Sequence, residues 1–340
     1  MRRRARKTAW SPGFQHSLVA LTRLATGSGA RLLATRLQPA TARRTAPGGA
    51  GAWMPGVVMG AAGTRRYRLY RPPGVGAGER LPLLVMLHGC GQNADSFATS
   101  TGMNRVALRE RFLVLYPEQD RRANGQGCWN WFDTGTGRAL GEAALILQAI
   151  DQVCLLHPVD PTRVAVAGLS AGASMAALLV TRHPARFRAV AMHSGVPPGT
   201  AHSTLSALRA MQGQRQTSPL AATPATMQAH WPPLLVIHGA ADTVVSPRNG
   251  LAAVQAWAGA AGARAGPPRT VQRGRRHPMS VVDFLARGST VATLVVVDRL
   301  AHAWSGGAAG QPFGDGHGPD ASRMVWAFAA RQFRQQAART

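Results

Sequence analysis

The sequence of 340 residues has few acidic residues and almost no lysine. It holds 14 Asp and Glu against 39 Lys and Arg, and Lys7 is the only lysine. A Walker A phosphate loop and a catalytic lysine Schiff base both need a lysine in the body of the chain, so both are excluded. The formal net charge of +25 would favour an acidic partner. However, Arg, Ala, Gly and Pro are abundant together, as in a genome-wide composition bias, so we do not expect nucleic acid as a partner.

Cysteine and long apolar runs are also scarce. Three cysteines are too few, and odd in number, for a disulfide scaffold. The sequence contains neither a CxxC pair nor an HExxH pair, so we expect no metal ion and no cofactor. No apolar run approaches the roughly 18 uninterrupted residues of a membrane-spanning helix. Since 45% of the residues are apolar, the chain can still form a large core.

The first 72 residues carry fourteen basic residues and no acidic one. The basic start is typical of a secretory signal, but Arg23 and Arg31 interrupt the stretch where its apolar part would follow, so a cytoplasmic location is expected. We predict a basic extension and linker over residues 1–54 and one folded domain over residues 55–338. A solvated tail is favoured for the extension. The alternative is an amphipathic helix that contacts a membrane surface through Leu18, Leu21, Leu24, Leu32 and Leu33.

From residue 66 onward, strand patterns alternate with helical patterns. Apolar runs and alternations predict strands over 66–71, 81–89, 112–117, 163–168, 188–195, 233–239 and 291–298. Helical spacing of apolar residues predicts helices over 139–156, 170–183, 248–260 and 320–335. This alternation indicates an α/β protein with a mainly parallel sheet and helices on both faces. Ligands of such sheets bind beyond the carboxyl ends of the strands, so we expect the functional residues in the loops that follow the strands.

One of these loops places a serine between two glycines. In VAVAGLSAGASM, residues 164–175, Ser170 stands between Gly168 and Gly172 where the strand pattern changes to a helical one. This GxSxG arrangement is typical of a nucleophile elbow, in which a strained turn exposes the serine hydroxyl and the helix N-terminus faces an oxyanion. The alternative is a tight turn filled by small residues. The strand–turn–helix context favours the nucleophile.

A serine nucleophile needs a histidine base and an acid that orients the base, in the chain order serine, acid, histidine. Five aspartates and no glutamate follow Ser170. Asp242 is favoured because it comes just after a buried strand and leaves the loop of the next strand for the histidine. Asp298, at the end of that next strand, is its rival.

The base is expected in the loop after the last strand. His302, in LAHAWSGG, follows that strand and precedes the last helix, so we predict it as the base. We expect His317, in a glycine-rich loop further on, to be merely exposed. His238 lies within a buried strand, so we expect it to be a core residue with its hydrogen bonds satisfied.

An oxyanion hole needs two backbone N–H groups aimed at one point. One is expected from Ala171, directly after the nucleophile, and the other from Cys90, in the loop after the strand LPLLVML. Gly89 lets this loop approach a substrate, and we interpret His88 as a support of the loop. A disulfide between Cys90 and Cys128 is a further hypothesis, since both cysteines lie in loops near the predicted site.

Five segments in this order resemble the polyhydroxybutyrate depolymerase family of esterases, which also contains feruloyl and acetylxylan esterases. They are LPLLVMLHGCGQNADSF, GCWNWF, VAVAGLSAGASMAALL, HGAADTVV and HAWSGG, and the resemblance covers about residues 55 to 335. It implies an α/β-hydrolase fold with a single catalytic domain over 55–338. It also implies that a small or oligomeric ester is the substrate.

The resemblance assigns the same site residues. It implies Ser170 as nucleophile, Asp242 as acid and His302 as base. The oxyanion hole would come from Cys90 and Ala171. For Trp129 and Trp131 in CWNWF, a pocket wall and ordinary core packing are equally favoured readings. The predicted substrate pocket contains His88, Gly89, Trp129, Trp131 and Trp304.

Two functions follow from these observations. The leading hypothesis is a serine carboxylic-ester hydrolase that works through an acyl-enzyme on polyhydroxyalkanoate-type oligomers or on other short-chain or aromatic esters. Because the signal peptide and polymer-binding module of secreted members are not seen, solid extracellular polymer is not the expected target. The alternative is a basic protein that binds nucleic acid or a membrane surface and carries a vestigial hydrolase core.

Overall fold

A mainly parallel β-sheet forms the centre of the protein. The computed structural model describes residues 46–215 and 231–337. In these residues eleven strands form one sheet, and two short strands pair separately. The strands are β1 (Ala52–Gly60), β2 (Gly63–Arg71), β3 (Leu81–Leu87), β4 (Leu113–Pro117), β5 (Val159–Leu169), β6 (Ala189–His193), β7 (Leu234–Gly239), β8 (Arg264–Ala265), β9 (Arg269–Val271), β10 (Met279–Ala286), β11 (Ser289–Val297), β12 (Trp304–Ser305) and β13 (Gly314–Asp315).

The strand order is β1-β2-β4-β3-β5-β6-β7-β11-β10-β8, with β9 also pairing with β10. The six central strands from β4 to β11 in this order run parallel, whereas the outer strands on both sides join antiparallel. The parallel strands therefore all end at the same edge of the sheet. The predicted mainly parallel sheet is confirmed.

Helices cover both faces of the sheet. They are α1 (Ala94–Thr101), α2 (Met103–Glu110), α3 (Arg138–Leu156), α4 (Ala171–Arg182), α5 (Thr204–Met211), α6 (Arg248–Ala261) and α7 (Ala321–Ala337), and a 3-10 turn spans Pro184–Arg186. All seven residues of β3 are buried, because a parallel strand between two helical layers has no solvent-facing side. Leu83 and Val85 join the core under α3, α4 and α6, whereas Leu84 and Met86 join the core under α1, α2 and α7.

Helix α3 is long and apolar enough to cross a membrane by length and composition alone. Eight of its residues are nevertheless buried in the fold, including the charged residue Glu142. Its contacts with β1, β2 and β5 make it a core helix of this domain.

All the predicted strands and helices are present, and the differences concern elements that the patterns did not indicate. Strand β1 begins at Ala52, slightly before the predicted domain start at residue 55, so the last three residues of the predicted extension and linker already belong to the sheet. Strands β8 to β10, β12 and β13 and helices α1, α2 and α5 have no counterpart among the predicted elements. The predicted extension falls on residues 1–45 for the most part, which lie outside the described residues.

Candidate active site

Ser170 stands at the junction of β5 and α4 with a strained backbone. Its φ of 57° and ψ of −121° are uncommon for a residue with a side chain, and such strain clusters at functional sites. The Ser170 N–H donates to the backbone oxygen of His193, at the end of the neighbouring strand β6, over 2.9 Å. The hydroxyl is therefore carried on a fixed turn at the carboxyl edge of the sheet.

The two glycines that flank the serine are required by close backbone approach. A Cβ atom added at Gly168 would lie 2.3 Å from the carbonyl carbon of Gly172. A Cβ atom at Gly172 would lie 2.1 Å from the backbone oxygen of Leu87. Neither distance is compatible with a side chain, so the glycines let β5, α4 and the end of β3 pack this closely.

Asp242 lies in the loop after β7, and both of its carboxylate oxygens are hydrogen-bonded. Oδ1 accepts the backbone N–H groups of Val244 (3.0 Å) and Val245 (2.8 Å), and Oδ2 accepts from Nδ1 of His302 over 2.8 Å. Burial by itself would raise the pKa of Asp242. Hydrogen bonds from His238, His302 and Val245 outweigh it and hold the pKa well below its usual range, so the carboxylate is charged.

His302 follows β11, and its side chain is 9% exposed. A carboxylate can only accept, so the hydrogen of its bond to Asp242 lies on Nδ1 and leaves Nε2 as the nitrogen that can take up a proton. The rival acid Asp298 is exposed and faces Arg299 at 3.5 Å. His317 is exposed, as predicted, and its N–H donates to Asp315. The structure thus brings the predicted acid and base together.

His193 connects the serine to the loop of His302, and the sequence analysis did not single it out. Its backbone oxygen accepts from Ser170, and its ring Nε2 accepts the N–H of Ser305 over 3.1 Å. The ring also stacks on Trp304 with centroids 5.0 Å apart. Burial lowers the pKa of His193 to about 3, so the ring is neutral and can accept. Its position at the carboxyl end of β6 was the available signal.

The loop after β3 lies beside the serine. A Cβ atom added at Gly89 would be 3.6 Å from Cβ of Ser170. The N–H of Gly89 donates to Oε1 of Gln92, and the N–H of Gly91 donates to the oxygen of Gln126. The N–H of Cys90, between them, has no acceptor among the described residues. This loop therefore has one backbone donor left to bind a ligand next to Ser170.

His88 supports this loop through hydrogen bonds of its buried ring. Its ring Nδ1 donates to the oxygen of Gly89 over 2.8 Å, and its Nε2 accepts the N–H of Gln119 over 3.0 Å. Burial lowers the pKa of His88 to about 4, so the ring stays neutral and can keep both bonds. Trp129 adds a third contact, from Nε1 to the oxygen of His88.

The predicted pocket is wrong for three of its side chains. His88, Trp129 and Trp304 have no more than 1% of their surface exposed, so they offer no wall to a substrate. Trp129 packs beneath the loop after β3, and the Arg65 guanidinium lies 5.5 Å from its ring centre. Trp304 is held in the core by His193 and by Ser322, to which its Nε1 donates. Trp131 is also buried, at 8%, whereas Gly89 lies next to the serine.

A disulfide joins the loop after β3 to the segment that contains Trp129 and Trp131. Cys90 and Cys128 are paired, whereas Cys154 is free and half-buried. The disulfide that the sequence offered as a hypothesis is therefore present, and it connects the two loops. Within residues 46–215 and 231–337, no group of three or more His, Cys, Asp or Glu side chains is arranged to hold a metal ion.

Comparison with known proteins agrees with this geometry. A family model described as Esterase PHB depolymerase matches residues 65–266, which is more than half of the chain. Poly(3-hydroxyalkanoate) depolymerase C of Paucimonas lemoignei is 35% identical over 175 residues, 49% of this chain and 42% of that protein. Feruloyl esterase B of Neurospora crassa is 28% identical over 193 residues, 53% of this chain and 65% of that protein. The chain thus spans less than two thirds of the length of either relative.

Among solved structures, an acetyl xylan esterase from Aspergillus awamori has a similar fold. It superposes with a TM-score of 0.56 at 18% identity and covers 74% of this chain and 94% of its own. At this identity the similarity concerns the fold alone. The predicted α/β-hydrolase fold is confirmed.

Proposed function

Because the chain belongs to the Esterase PHB depolymerase family, we propose that it is a carboxylic-ester hydrolase in which Ser170 is the nucleophile. The observation that carries the proposal is the strained Ser170 backbone at the strand–helix junction. Such strain is what a nucleophile elbow requires. The hydrogen-bonded pair of Asp242 and His302, in loops at the same edge of the sheet, supports it.

The reaction uses these three residues in turn. Oγ of Ser170 attacks the ester carbonyl carbon while Nε2 of His302 takes the hydroxyl proton, and a tetrahedral oxyanion forms. The C–O bond to the alcohol then breaks, His302 returns the proton to the leaving alcohol, and an acyl-enzyme remains. His302 then deprotonates a water molecule that attacks the acyl carbon. The bond between the acyl group and Oγ of Ser170 breaks, His302 returns the proton to Oγ, and the acid leaves. Throughout, Asp242 holds the imidazole and stabilises its cationic form.

The oxyanion would be bound by the backbone N–H groups of Cys90 and Ala171. Cys90 is favoured in its loop because the N–H groups of Gly89 and Gly91 already donate to Gln92 and Gln126. Ala171 is the first residue of α4, where backbone N–H groups lack partners within the helix and the helix dipole favours negative charge. Each donor of such a hole contributes roughly 3 kcal/mol to transition-state binding.

Polyhydroxyalkanoate-type oligomers and short-chain or aromatic esters are the proposed substrates, since the relatives are named for esters of these kinds. A hydrolysis panel of hydroxybutyrate oligomers, feruloyl esters and acetyl esters would rank them. The ranking by kcat/KM measures which acyl group the site accommodates.

The substitution Ser170→Ala tests the chemistry. We expect kcat for p-nitrophenyl acetate to fall on the order of a million-fold, because the nucleophile is lost and the remaining groups act through it. Ser280→Ala, at an exposed serine on β10, is the matched control and should leave kcat unchanged. Turnover by the Ser170 variant close to that of the wild type, in a folded sample, would refute the proposal.

A further inference from the structure

His238 contacts the acid of the proposed site, although it lies inside strand β7. The side chain is fully buried, and Nε2 lies 2.9 Å from the backbone oxygen of Val245 and 3.4 Å from Oδ2 of Asp242. A carbonyl oxygen can only accept, so the ring hydrogen is on Nε2. This N–H is therefore shared between the two oxygens, with the shorter branch going to Val245.

Oδ2 of Asp242 thus faces two imidazole rings, His302 at 2.8 Å and His238 at 3.4 Å. We propose that His238 is a positioning residue for Asp242: its shared N–H fixes the loop from Asp242 to Val245 and neutralises part of the charge on Oδ2 that His302 would otherwise meet. The inference rests on the proposed function, because it concerns how the acid acts on the base.

The surroundings of the ring agree with this role. From α6, a Cβ atom added at Gly250 would lie 3.0 Å from Nδ1, so the glycine makes room for the imidazole. From β6 comes His193, whose pKa is lowered by burial first and then by His238 and His302. Among the described residues, these interactions place Asp242, His302 and His193 as the titratable groups around the ring. An apolar residue would pack in this strand as well, but it would leave two buried oxygens without this donor.

Loss of the His238 N–H donor should shift the pH dependence of kcat/KM in one direction, which can be measured. Oδ2 of Asp242 would become more basic and would hold the protonated form of His302 more tightly. Hydrolysis requires His302 to be neutral before it takes the serine proton. The acidic limb of the profile of kcat/KM against pH should therefore move to higher pH.

The test compares His238→Phe, which removes the donor, with His238→Gln, whose amide N–H can replace it. With p-nitrophenyl acetate between about pH 4 and 9, we expect His238→Phe to shift the acidic limb upward by roughly half a pH unit to one unit and to lower kcat roughly tenfold. His238→Gln should restore most of both. His238→Leu takes the place of the phenylalanine variant if the larger ring prevents folding. An acidic limb that stays in place or moves downward in the apolar variant would overturn the inference.

A second readout separates this inference from the proposed function. In proton NMR spectra at low pH, the strongly deshielded signal of the proton between His302 Nδ1 and Asp242 should move further downfield in the apolar variant and return in His238→Gln. This signal requires no turnover. If the wild type hydrolyses esters but the signal stays in place, the role of His238 is wrong and the proposed function stands. If the wild type hydrolyses no ester, the proposed function itself fails.

Discussion

Asp242 uses its two carboxylate oxygens for two different tasks. Oδ1 accepts two backbone N–H groups of its own loop, from Val244 and Val245, whereas Oδ2 faces the imidazole of His302. The first task shapes the loop and the second orients the base. A substitution that keeps one oxygen and changes the other can separate them.

Asp242→Asn is that substitution. The asparagine oxygen can still accept from the loop, but its amide N–H faces His302 and favours the wrong imidazole tautomer. We expect kcat to fall on the order of ten-thousand-fold. The melting temperature should fall as well, because a carboxylate whose pKa is held below its usual range stabilises the fold at neutral pH. Steady-state kinetics with p-nitrophenyl acetate and a thermal melt would measure both.

Asp298→Asn is the matched control, because Asp298 was the rival acid in the sequence and is exposed beside Arg299. This variant should keep the activity of the wild type. A large loss of kcat in the Asp298 variant, with little loss in the Asp242 variant, would show that the acid has been assigned to the wrong strand end.

The residues that the sequence could indicate are those whose role follows from local context. Ser170, Asp242 and His302 each lie after a strand of the parallel sheet, at its carboxyl edge. Their order along the chain, serine then acid then histidine, matched them to their roles. The role of His193 depends on an N–H of Ser305, which is 112 positions away, so no local pattern contains it. The burial of Trp129 and Trp304 likewise results from packing between distant segments, which is why the pocket prediction failed.

At the scale of elements, the loop after β3 is held by several contacts to one segment. The disulfide joins Cys90 to Cys128, the N–H of Gly91 donates to Gln126, and Trp129 donates to the oxygen of His88. The proposed oxyanion donor at Cys90 therefore depends on a covalent and a hydrogen-bonded anchor. This arrangement fixes the N–H before the substrate arrives, which is the condition for electrostatic stabilisation of a transition state.

Removal of the covalent anchor should weaken both the fold and the reaction. For Cys128→Ala we expect a loss of unfolding free energy of roughly 4 kcal/mol at most, because the disulfide closes a loop of 38 residues in the unfolded chain. The remaining hydrogen bonds should keep part of the activity, so kcat should fall by less than the roughly hundredfold loss caused by deleting one oxyanion donor. Urea unfolding and steady-state kinetics would measure the two effects.

A thiol titration checks the pairing itself. The denatured, unreduced protein should show one reactive thiol, that of Cys154, and three after reduction. Three thiols before reduction would contradict the pairing. Disulfides persist mainly in oxidising compartments, so this titration also bears on the cytoplasmic location expected from the sequence, which stays a prediction.

The central elements could be predicted because parallel strands buried on both faces are continuous apolar runs. The edge strands could not. β1 contains Pro55 and Gly56 and pairs on one side only, with β2, so its sequence looks like a linker. Strands β8 and β9 have two and three residues, too few to show a period.

At the scale of the whole molecule, the described part of the chain contacts the fold from its first residues onward. Ala46 is buried, the oxygen of Pro47 accepts from Asn104, and the oxygen of Ala50 accepts from the Tyr70 hydroxyl. Residues 1–45 hold ten of the 39 basic residues of the chain and no acidic residue. The ester hydrolase proposed from the folded domain and the binding function proposed from the basic segment can therefore be tested separately by removing residues 1–45.

Deletion of residues 1–45 should leave the esterase intact. We expect kcat/KM for p-nitrophenyl acetate to be unchanged and the unfolding free energy to stay within about 0.5 kcal/mol, because the contacts from Ala46 onward remain. Binding to DNA or to anionic vesicles, measured across a salt series on both proteins, would separate the alternative function. If the full chain binds and the shortened chain does not, the basic segment is an anchor carried by an enzyme, since removing cations reduces the number of released counterions. If activity disappears with the segment, the catalytic unit begins earlier than Ala46 and the domain boundary proposed from the sequence is wrong.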